Sequence, residues 1–283
     1  MYNSEQREKA IADLTEAIRL DPNNPDRYEA RARKYQTATD YPAASNDYAE
    51  AIRLDPNNPN RYEARARHYV LIGDYQAAIA DHTQAIRLER HNPDRYEARA
   101  AVYESNKKPA EALADHMEAI RLDSKNPDRY VSRAEFYTSN EEYAKAIADY
   151  TTAIRLDAKS TTSLQKRGEL YMQIGELELA LADYNKMVTM NPKDPDAFVG
   201  RGQVFYRKGN FKRAKEEYGQ AQRLEPNSAS TEIIQTERIQ SAINTCQQDL
   251  NFNAGAPRYD PVVIIGACTQ YLQEKFPTPS RML

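Results

Sequence analysis

The chain of 283 residues contains no tryptophan, only two cysteines and only nine glycines. Two cysteines cannot support a disulfide-dense secreted scaffold, and so few glycines leave little backbone to cradle the phosphates of a nucleotide. No stretch approaches the roughly 18 consecutive apolar residues of a membrane span, so we expect no membrane insertion. The formal net charge of −3 lacks the clustered basic excess that phosphate binding requires, so we expect no nucleic-acid partner.

The motifs of common catalytic sites are also missing from the sequence. It contains no Cys-x-x-Cys, His-Glu-x-x-His or Gly-x-Ser-x-Gly motif and no glycine-rich phosphate loop. The histidines do not form a metal-binding motif; they are His68, His82, His91 and His116. We therefore expect no catalytic residues, no metal and no cofactor, and a protein that is not an enzyme.

What the sequence does contain is a segment that recurs with a period of about 34 residues. Its copy at 58–66 reads Asn-Pro-Asn-Arg-Tyr-Glu-Ala-Arg-Ala, and the phrase Ala-Ile-Arg-Leu recurs with the same period. The related segments begin at Asn24, Asn92, Asn126 and Asp194. A fixed period of about 20 to 50 residues is typical of a solenoid, in which each unit buries its apolar face against its neighbours. We therefore predict one elongated body in place of two ordinary domains.

The pattern inside one repeat predicts a helical hairpin. In residues 59–92, apolar and aromatic side chains recur at spacings of three, four and seven over two stretches, as on the buried face of a helix. Gly73 and Asp74 interrupt the pattern, and Asp74 is a candidate N-cap for the second helix. Asn92 is a candidate cap for the next helix, and Pro93 suits its first position.

One motif carries a resemblance to a known family: Tyr62-x2-Arg65-Ala66-x2-Tyr69, then Ala78-x3-His82, then Ala85. A closer copy lies near the end of the array: Phe198-x2-Arg201-Gly202-x2-Phe205, Ala214-x3-Tyr218, Ala221 and Pro226. Both resemble the tetratricopeptide repeat, over about residues 5–229, although the family's common Trp is Tyr or Phe here and its usual Leu is Arg. The resemblance implies an all-α, right-handed superhelical solenoid of antiparallel helix hairpins.

The register of the repeats predicts how the chain is organised. Residues 1–24 form a half repeat that holds only a second helix; six repeats follow at 25–58, 59–92, 93–126, 127–160, 161–194 and 195–229. The junction 157–161 lacks the prolines of most other junctions, which favours a softer joint. We expect capping helices and a tail at 230–283. There Cys246 and Cys268 lie almost symmetrically about a loop. Two states of this pair are compatible with the sequence, a disulfide and two reduced, buried thiols.

Arginines and carboxylates also recur at fixed registers. Arginine recurs on the otherwise apolar face of the first helix: Arg31, Arg65, Arg99, Arg133, Arg167 and Arg201. A carboxylate recurs in the second helix: Asp13, Asp47, Asp81, Asp115, Asp149, Asp183 and Glu217. Because a buried arginine is costly unless it is paired, we predict a structural ladder of ion pairs, either within a hairpin or between neighbouring hairpins.

Register also accounts for most of the twenty tyrosines. They fall at four positions of the repeat, which indicates packing between helices and argues against an aromatic binding cage. His82 and His116 occupy one of these positions, which is tyrosine in other repeats, so we expect them to be core groups as well.

In the family that this chain resembles, the first helices line a concave groove that takes up peptides or helices. By register, the groove residues expected to bind a partner are Arg33, Arg67, Val70, Leu71, Val131, Glu135, Lys166, Met172, Val199 and Tyr206. We place the hot spot at Met172 and Tyr206. For Arg33 and Arg67 the alternative is an ordinary ion pair with a glutamate four residues earlier. The clamp of Lys and Asn residues that holds a chaperone tail in some relatives is not present at these positions.

The resemblance implies a non-catalytic scaffold or adaptor that binds a peptide or helix of another protein. Two alternatives remain open: a self-assembling structural repeat protein, which associates through its N-terminal half repeat, and a non-catalytic fragment of a larger multidomain protein. The sequence begins Met1-Tyr2-Asn3-Ser4-Glu5 without a secretory pattern, so we expect a soluble, cytoplasmic protein. A trimmed N-terminus would leave a periplasmic or extracellular location open.

Overall fold

The structure, a computed structural model, describes residues 4–225. This part of the chain forms thirteen α-helices and no strand. The helices are α1 (Ser4–Leu20), α2 (Pro25–Thr37), α3 (Tyr41–Leu54), α4 (Pro59–Leu71), α5 (Tyr75–Leu88), α6 (Pro93–Ser105), α7 (Pro109–Leu122), α8 (Pro127–Ser139), α9 (Tyr143–Leu156), α10 (Thr161–Gln173), α11 (Leu177–Met190), α12 (Pro195–Arg207) and α13 (Phe211–Leu224).

From α2 onward the helices pair into hairpins. Each even-numbered helix packs against the odd-numbered helix that follows it, and α1 packs against α2. The first helices of the hairpins begin at positions 25, 59, 93, 127, 161 and 195, so their starts follow the predicted 34-residue period. The predicted period and the all-α hairpin solenoid are therefore confirmed.

Side-chain caps lie at the N-termini of α5 and α6, as the sequence predicts. The side chain of Asn92 accepts a hydrogen bond of 3.0 Å from the backbone N–H of Asp94, and Pro93 occupies the first turn. Asp74 caps α5 by accepting from the N–H of Ala77 at 3.0 Å. Gly73, just before it, has φ +80°, a left-handed conformation that glycine adopts without steric cost.

The core consists mainly of alanines at which the helices approach closely. In the repeat 59–92, Ala66 and Ala78 are fully buried and cluster with Val102, which belongs to the next hairpin. Tyr69 and Ile79 pack against the same cluster. The hairpin of α6 and α7 therefore completes the core of the hairpin before it, as in a solenoid.

Two glycines of α12 stand at registers that hold alanine in the repeat 59–92, and they make room for tyrosine rings of α11 and α13. A Cβ atom on Gly200 would lie 2.1 Å from Cε1 of Tyr184, which is itself only 1% exposed. A Cβ atom on Gly202 would lie 2.5 Å from Cε1 of Tyr218. The two rings fill space that any larger residue would occupy.

The structure divides into two compact units between Leu156 and Asp157. The first unit holds α1–α9, and the described part of the second holds α10–α13. The division falls at the junction without prolines. There the hydroxyl of Ser160 caps α10 by accepting from the N–H of Ser163 at 3.2 Å, in place of the Asn-Pro pair found at most other junctions.

Candidate partner-binding surface

Each arginine of the ladder lies beside the carboxylate sixteen residues later in its own hairpin. The pairs are Arg31–Asp47, Arg65–Asp81, Arg99–Asp115, Arg133–Asp149, Arg167–Asp183 and Arg201–Glu217. In the second pair, Nε of Arg65 donates to Oδ2 of Asp81 and Nη2 to Oδ1, both at 2.8 Å. This bond raises the pKa of Arg65. Asp13 has no such partner among the described residues.

Tyrosines flank these ion pairs, and other tyrosines form hydrogen bonds to the loops that precede the first helices. The guanidinium of Arg65 lies 5.7 Å from the ring centroid of Tyr69, within cation–π range. The hydroxyl of Tyr62 donates to the carbonyl of Pro56 at 3.0 Å, which fixes the loop before α4. The same bond recurs in three other repeats: Tyr28 to Pro22, Tyr96 to Arg90 and Tyr130 to Ser124. We therefore assign the ladder and its tyrosines to the stability of the hairpins and look for a partner's surface elsewhere.

A second set of arginines, which the sequence analysis did not single out, links the first helices of successive hairpins. Arg95 in α6 donates to Glu63 in α4 at 2.5 Å, and also to Glu89 at 2.9 Å and Asn60 at 2.8 Å. Its side chain is only 10% exposed. Arg61 links α4 to α2, and Arg129 links α8 to α6, in the same way. The signal in the sequence was an Arg-Tyr-Glu segment that recurs in successive repeats.

These links fix the carboxylates on the first-helix face of the first unit. Glu29 accepts from Arg61 at 2.5 Å and is bonded to Arg33 as well. Glu63 accepts from Arg95 and lies 3.8 Å from Arg67. The predicted intrahelical pairs of Arg33 and Arg67 are thus the outer ends of larger ionic clusters.

The predicted binding residues of the first unit differ in how much surface they offer. Arg33, Arg67, Leu71 and Glu135 are exposed, and Leu71 has 57% of its surface free. Val70 and Val131 are half-buried. Exposed cationic and apolar side chains therefore lie side by side on α2 and α4.

The predicted hot spot in the second unit offers less surface. Met172 is 5% exposed, so a partner would meet little of its side chain, contrary to the expectation from its register. Tyr206 is half-buried, with its ring edge-on against Phe211 at a centroid distance of 5.3 Å. Val199 is half-buried in the clusters around the same helix, and Lys166 is exposed.

His68 occupies a core position that is apolar in most other repeats, and it is fully buried. Its Nδ1 lies 3.1 Å from Nε2 of Gln36, and its Nε2 lies 2.8 Å from the hydroxyl of Ser45. Tyr48 donates to the oxygen of the same Gln36 side chain at 2.7 Å. Because the amide nitrogen only donates, Nδ1 accepts and the ring is neutral. Burial lowers the pKa of His68.

His82 and His116 are buried at the tyrosine register, as expected. Nε2 of His116 donates to Oε1 of Glu104 in α6 at 2.9 Å. Nδ1 of His82 is buried and has no hydrogen-bond partner among the described residues. Burial lowers the pKa of His82.

Residues 4–225 offer little sign of other classes of site. No cluster of potential metal ligands is found in this part of the chain. None of its helices combines the length and the apolar character needed to cross a membrane. The cysteine pair Cys246 and Cys268 and the predicted capping segment 230–283 lie outside the described residues.

Comparisons with known proteins agree with this fold. Models of the TPR repeat and the tetratricopeptide repeat match residues 168–209, 195–228, 2–24 and 127–160. Part of a repeat-containing protein from Cytophaga hutchinsonii is 17% identical over 82% of this chain and 94% of that chain, with a TM-score of 0.64. PilW, a type IV pilus biogenesis factor, is 17% identical over 74% of this chain and 97% of that chain, with a TM-score of 0.54.

A third structure, of the APC/C Cut9–Hcn1 hetero-tetramer, aligns at 15% identity with 82% of this chain but only 46% of that chain. Its TM-score of 0.49 is too low to support an argument. No curated protein matches the sequence. At these identities the solved structures show the fold alone. The recurring hairpins, the family matches and the shared fold show that this chain contains tetratricopeptide repeats.

Proposed function

We propose that the first unit binds a peptide or helix of a partner protein across the exposed side of α2 and α4. Tetratricopeptide repeats are protein-interaction scaffolds, and the role proposed here is non-catalytic. The observation that carries the proposal is the row of exposed side chains Arg33, Arg67 and Leu71 on two adjacent first helices. The remaining predicted residues are Val70, Val131 and Glu135 in the first unit, and Lys166, Val199 and Tyr206 in the second.

The ionic links beneath this surface support the proposal. Arg61 joins α4 to α2 through Glu29, and Arg95 joins α6 to α4 through Glu63. Multiple bonds to each arginine fix the relative orientation of the first helices. A surface that is rigid before binding loses less conformational entropy when a partner arrives.

Affinity capture from the native host, followed by mass spectrometry, tests the proposal. We expect the Arg33→Ala/Arg67→Ala variant to lose a protein that the wild type retains. The matched control is Arg53→Ala/Arg121→Ala, because both arginines are about as exposed but lie on second helices, in i,i+3 ion pairs. Equal recovery by both variants, with unchanged helicity, would refute the proposed surface.

Self-association is the second candidate, and the 69% exposure of Leu20 at the end of α1 favours it. Light scattering over a concentration series separates the two. A mass that stays that of a monomer supports binding to another protein, whereas a mass that grows with concentration supports assembly.

A further inference from the structure

Arg67 has a guanidinium group that no described residue fully occupies. Its side chain is 66% exposed and forms no hydrogen bond within residues 4–225; its ion pair is with Oε2 of Glu63, at 3.8 Å. That same oxygen lies 2.5 Å from Nη1 of Arg95. Because Glu63 is already held by the more buried Arg95, Arg67 remains able to bind an additional anion.

His82 lies behind the same helix face with unfilled hydrogen-bonding capacity. It is 4% exposed, and its Nδ1 is buried without a hydrogen-bond partner among the described residues, as is Nδ1 of His116. At this register in neighbouring hairpins, His116 donates to Glu104 and Tyr48 donates to Gln36, and both acceptors occupy one position of the first helix.

In α4 the residue at this acceptor position is Val70, which has no polar side-chain atom. Val70 therefore offers the His82 ring no acceptor at the position where Glu104 and Gln36 serve His116 and Tyr48. A ligand that brings an acceptor to this position would supply the missing hydrogen bond.

The charges around His82 favour a negatively charged acceptor. The ionic groups acting on its ring are Glu63, Asp81, Arg67 and Arg99. Burial lowers the pKa of His82, so the neutral ring carries one N–H that can donate. Glu63 and Asp81 are both bonded to arginines, at 2.5 Å and 2.8 Å. Arg67 is thus the charge on this face that remains least compensated.

An apolar contact lies beside these two polar groups. Leu71 follows Val70 in α4 and is 57% exposed. Val70 is half-buried and packs against the cluster of Ala66 and Ala78. A ligand that reaches Arg67 would therefore meet an apolar side chain on the same helix.

On the basis of the proposed partner-binding role, we propose that Arg67, Val70, Leu71 and His82 form a subsite for an acidic side chain of the partner, with an apolar side chain next to it. The carboxylate accepts hydrogen bonds from the Arg67 guanidinium and the His82 ring, and the apolar side chain packs on Leu71. If the partner carried a lysine in place of the acidic side chain, Arg67 would repel it. An amide in the same place would lack the ionic attraction to Arg67.

Titration with two capped hexapeptides, followed by NMR of the histidine rings, tests the subsite. The probes are Gly-Ser-Glu-Leu-Ser-Gly and Gly-Ser-Gln-Leu-Ser-Gly, which differ in one carboxylate. We expect the Glu peptide to shift the His82 ring signals in a saturable way and to bind about fivefold more tightly than the Gln peptide. The ring of His116, whose donor is already bonded to Glu104, is the internal control.

The Arg67→Gln variant should remove the preference for the Glu peptide while the His116 signals of the free protein stay in place. Equal shifts with both peptides, or no shift with either, would overturn the subsite. Shifts that depend on protein concentration alone would show a second copy at this face and also overturn it. The capture experiment separates the two proposals: loss of the partner by the Arg33→Ala/Arg67→Ala variant upholds the binding surface even where the acidic preference fails.

Discussion

Arg65 and Asp81 join the two helices of one hairpin through two parallel hydrogen bonds, each 2.8 Å long. We expect Asp81→Ala to lower the free energy of unfolding by about 3 kcal/mol, because it leaves a largely buried guanidinium without its partner. Thermal or urea unfolding measures the loss. The matched control is Asp13→Ala, since Asp13 has the same register but is exposed and has no ion-pair partner among the described residues. A melting curve like that of the wild type for Asp81→Ala would contradict the role of the ladder.

The close contact between Gly200 and Tyr184 predicts that a larger residue at position 200 lowers the stability of the second unit. A Cβ atom would lie 2.1 Å from the ring, so Gly200→Ala must displace Tyr184 or separate α11 from α12. We expect a loss of about 1–3 kcal/mol, typical of overpacking. Gly219→Ala is the control, because its Cβ meets only Arg223, at 3.9 Å, and alanine favours a helix by about 1 kcal/mol over glycine. The two variants should therefore change stability in opposite directions.

The buried network of His68 predicts that stability falls in mild acid. Burial holds the folded pKa of His68 below the ordinary value of 6.5, so the unfolded chain takes up a proton before the native chain does. The contribution of the neutral His68 ring to the free energy of unfolding is full above about pH 6.5. It declines as the pH falls toward the folded pKa, with a slope of up to about 1.4 kcal/mol per pH unit. Urea unfolding at several pH values measures this slope.

A valine at this position tests the assignment, because the next repeat carries Val102 at the same register. We expect His68→Val to reduce the loss of unfolding free energy between about pH 6.5 and 5, with a change in slope of up to about 1.4 kcal/mol per pH unit. The loss that remains comes from His82, whose pKa is also lowered. Leu170→Val, also at this register, should shift stability equally at every pH. An unchanged slope in His68→Val would contradict the neutral, buried ring.

The ion-pair ladder illustrates what the sequence could predict. Both registers recur once in each full repeat, and burial of an arginine demands a partner, so the pairing of residues such as Arg65 and Asp81 follows from spacing and electrostatics. The choice between pairing within a hairpin and pairing between hairpins depends on three-dimensional distances, which the spacing does not contain.

Three other features depended on packing that no register carries. Arg95 lies within the same recurring segment, but its main carboxylate partner, Glu63, belongs to the first helix of the preceding hairpin, so local spacing did not reveal it. Met172 has the register of a surface residue, yet its neighbours cover it. His68 likewise gives no sign in the sequence that three polar side chains of the preceding hairpin surround it.

Site-specific photo-crosslinking tests whether the partner lies on the first-helix face of the first unit. A benzophenone amino acid is placed either at Leu71 in α4, which is 57% exposed, or at Met117 in α7, a second helix, where the exposure is 53%. In extract of the native host, we expect the variant labelled at Leu71 to form a crosslink to the partner recovered by affinity capture. We expect no such crosslink from the variant labelled at Met117. A crosslink from Met117 and none from Leu71 would contradict the proposed surface.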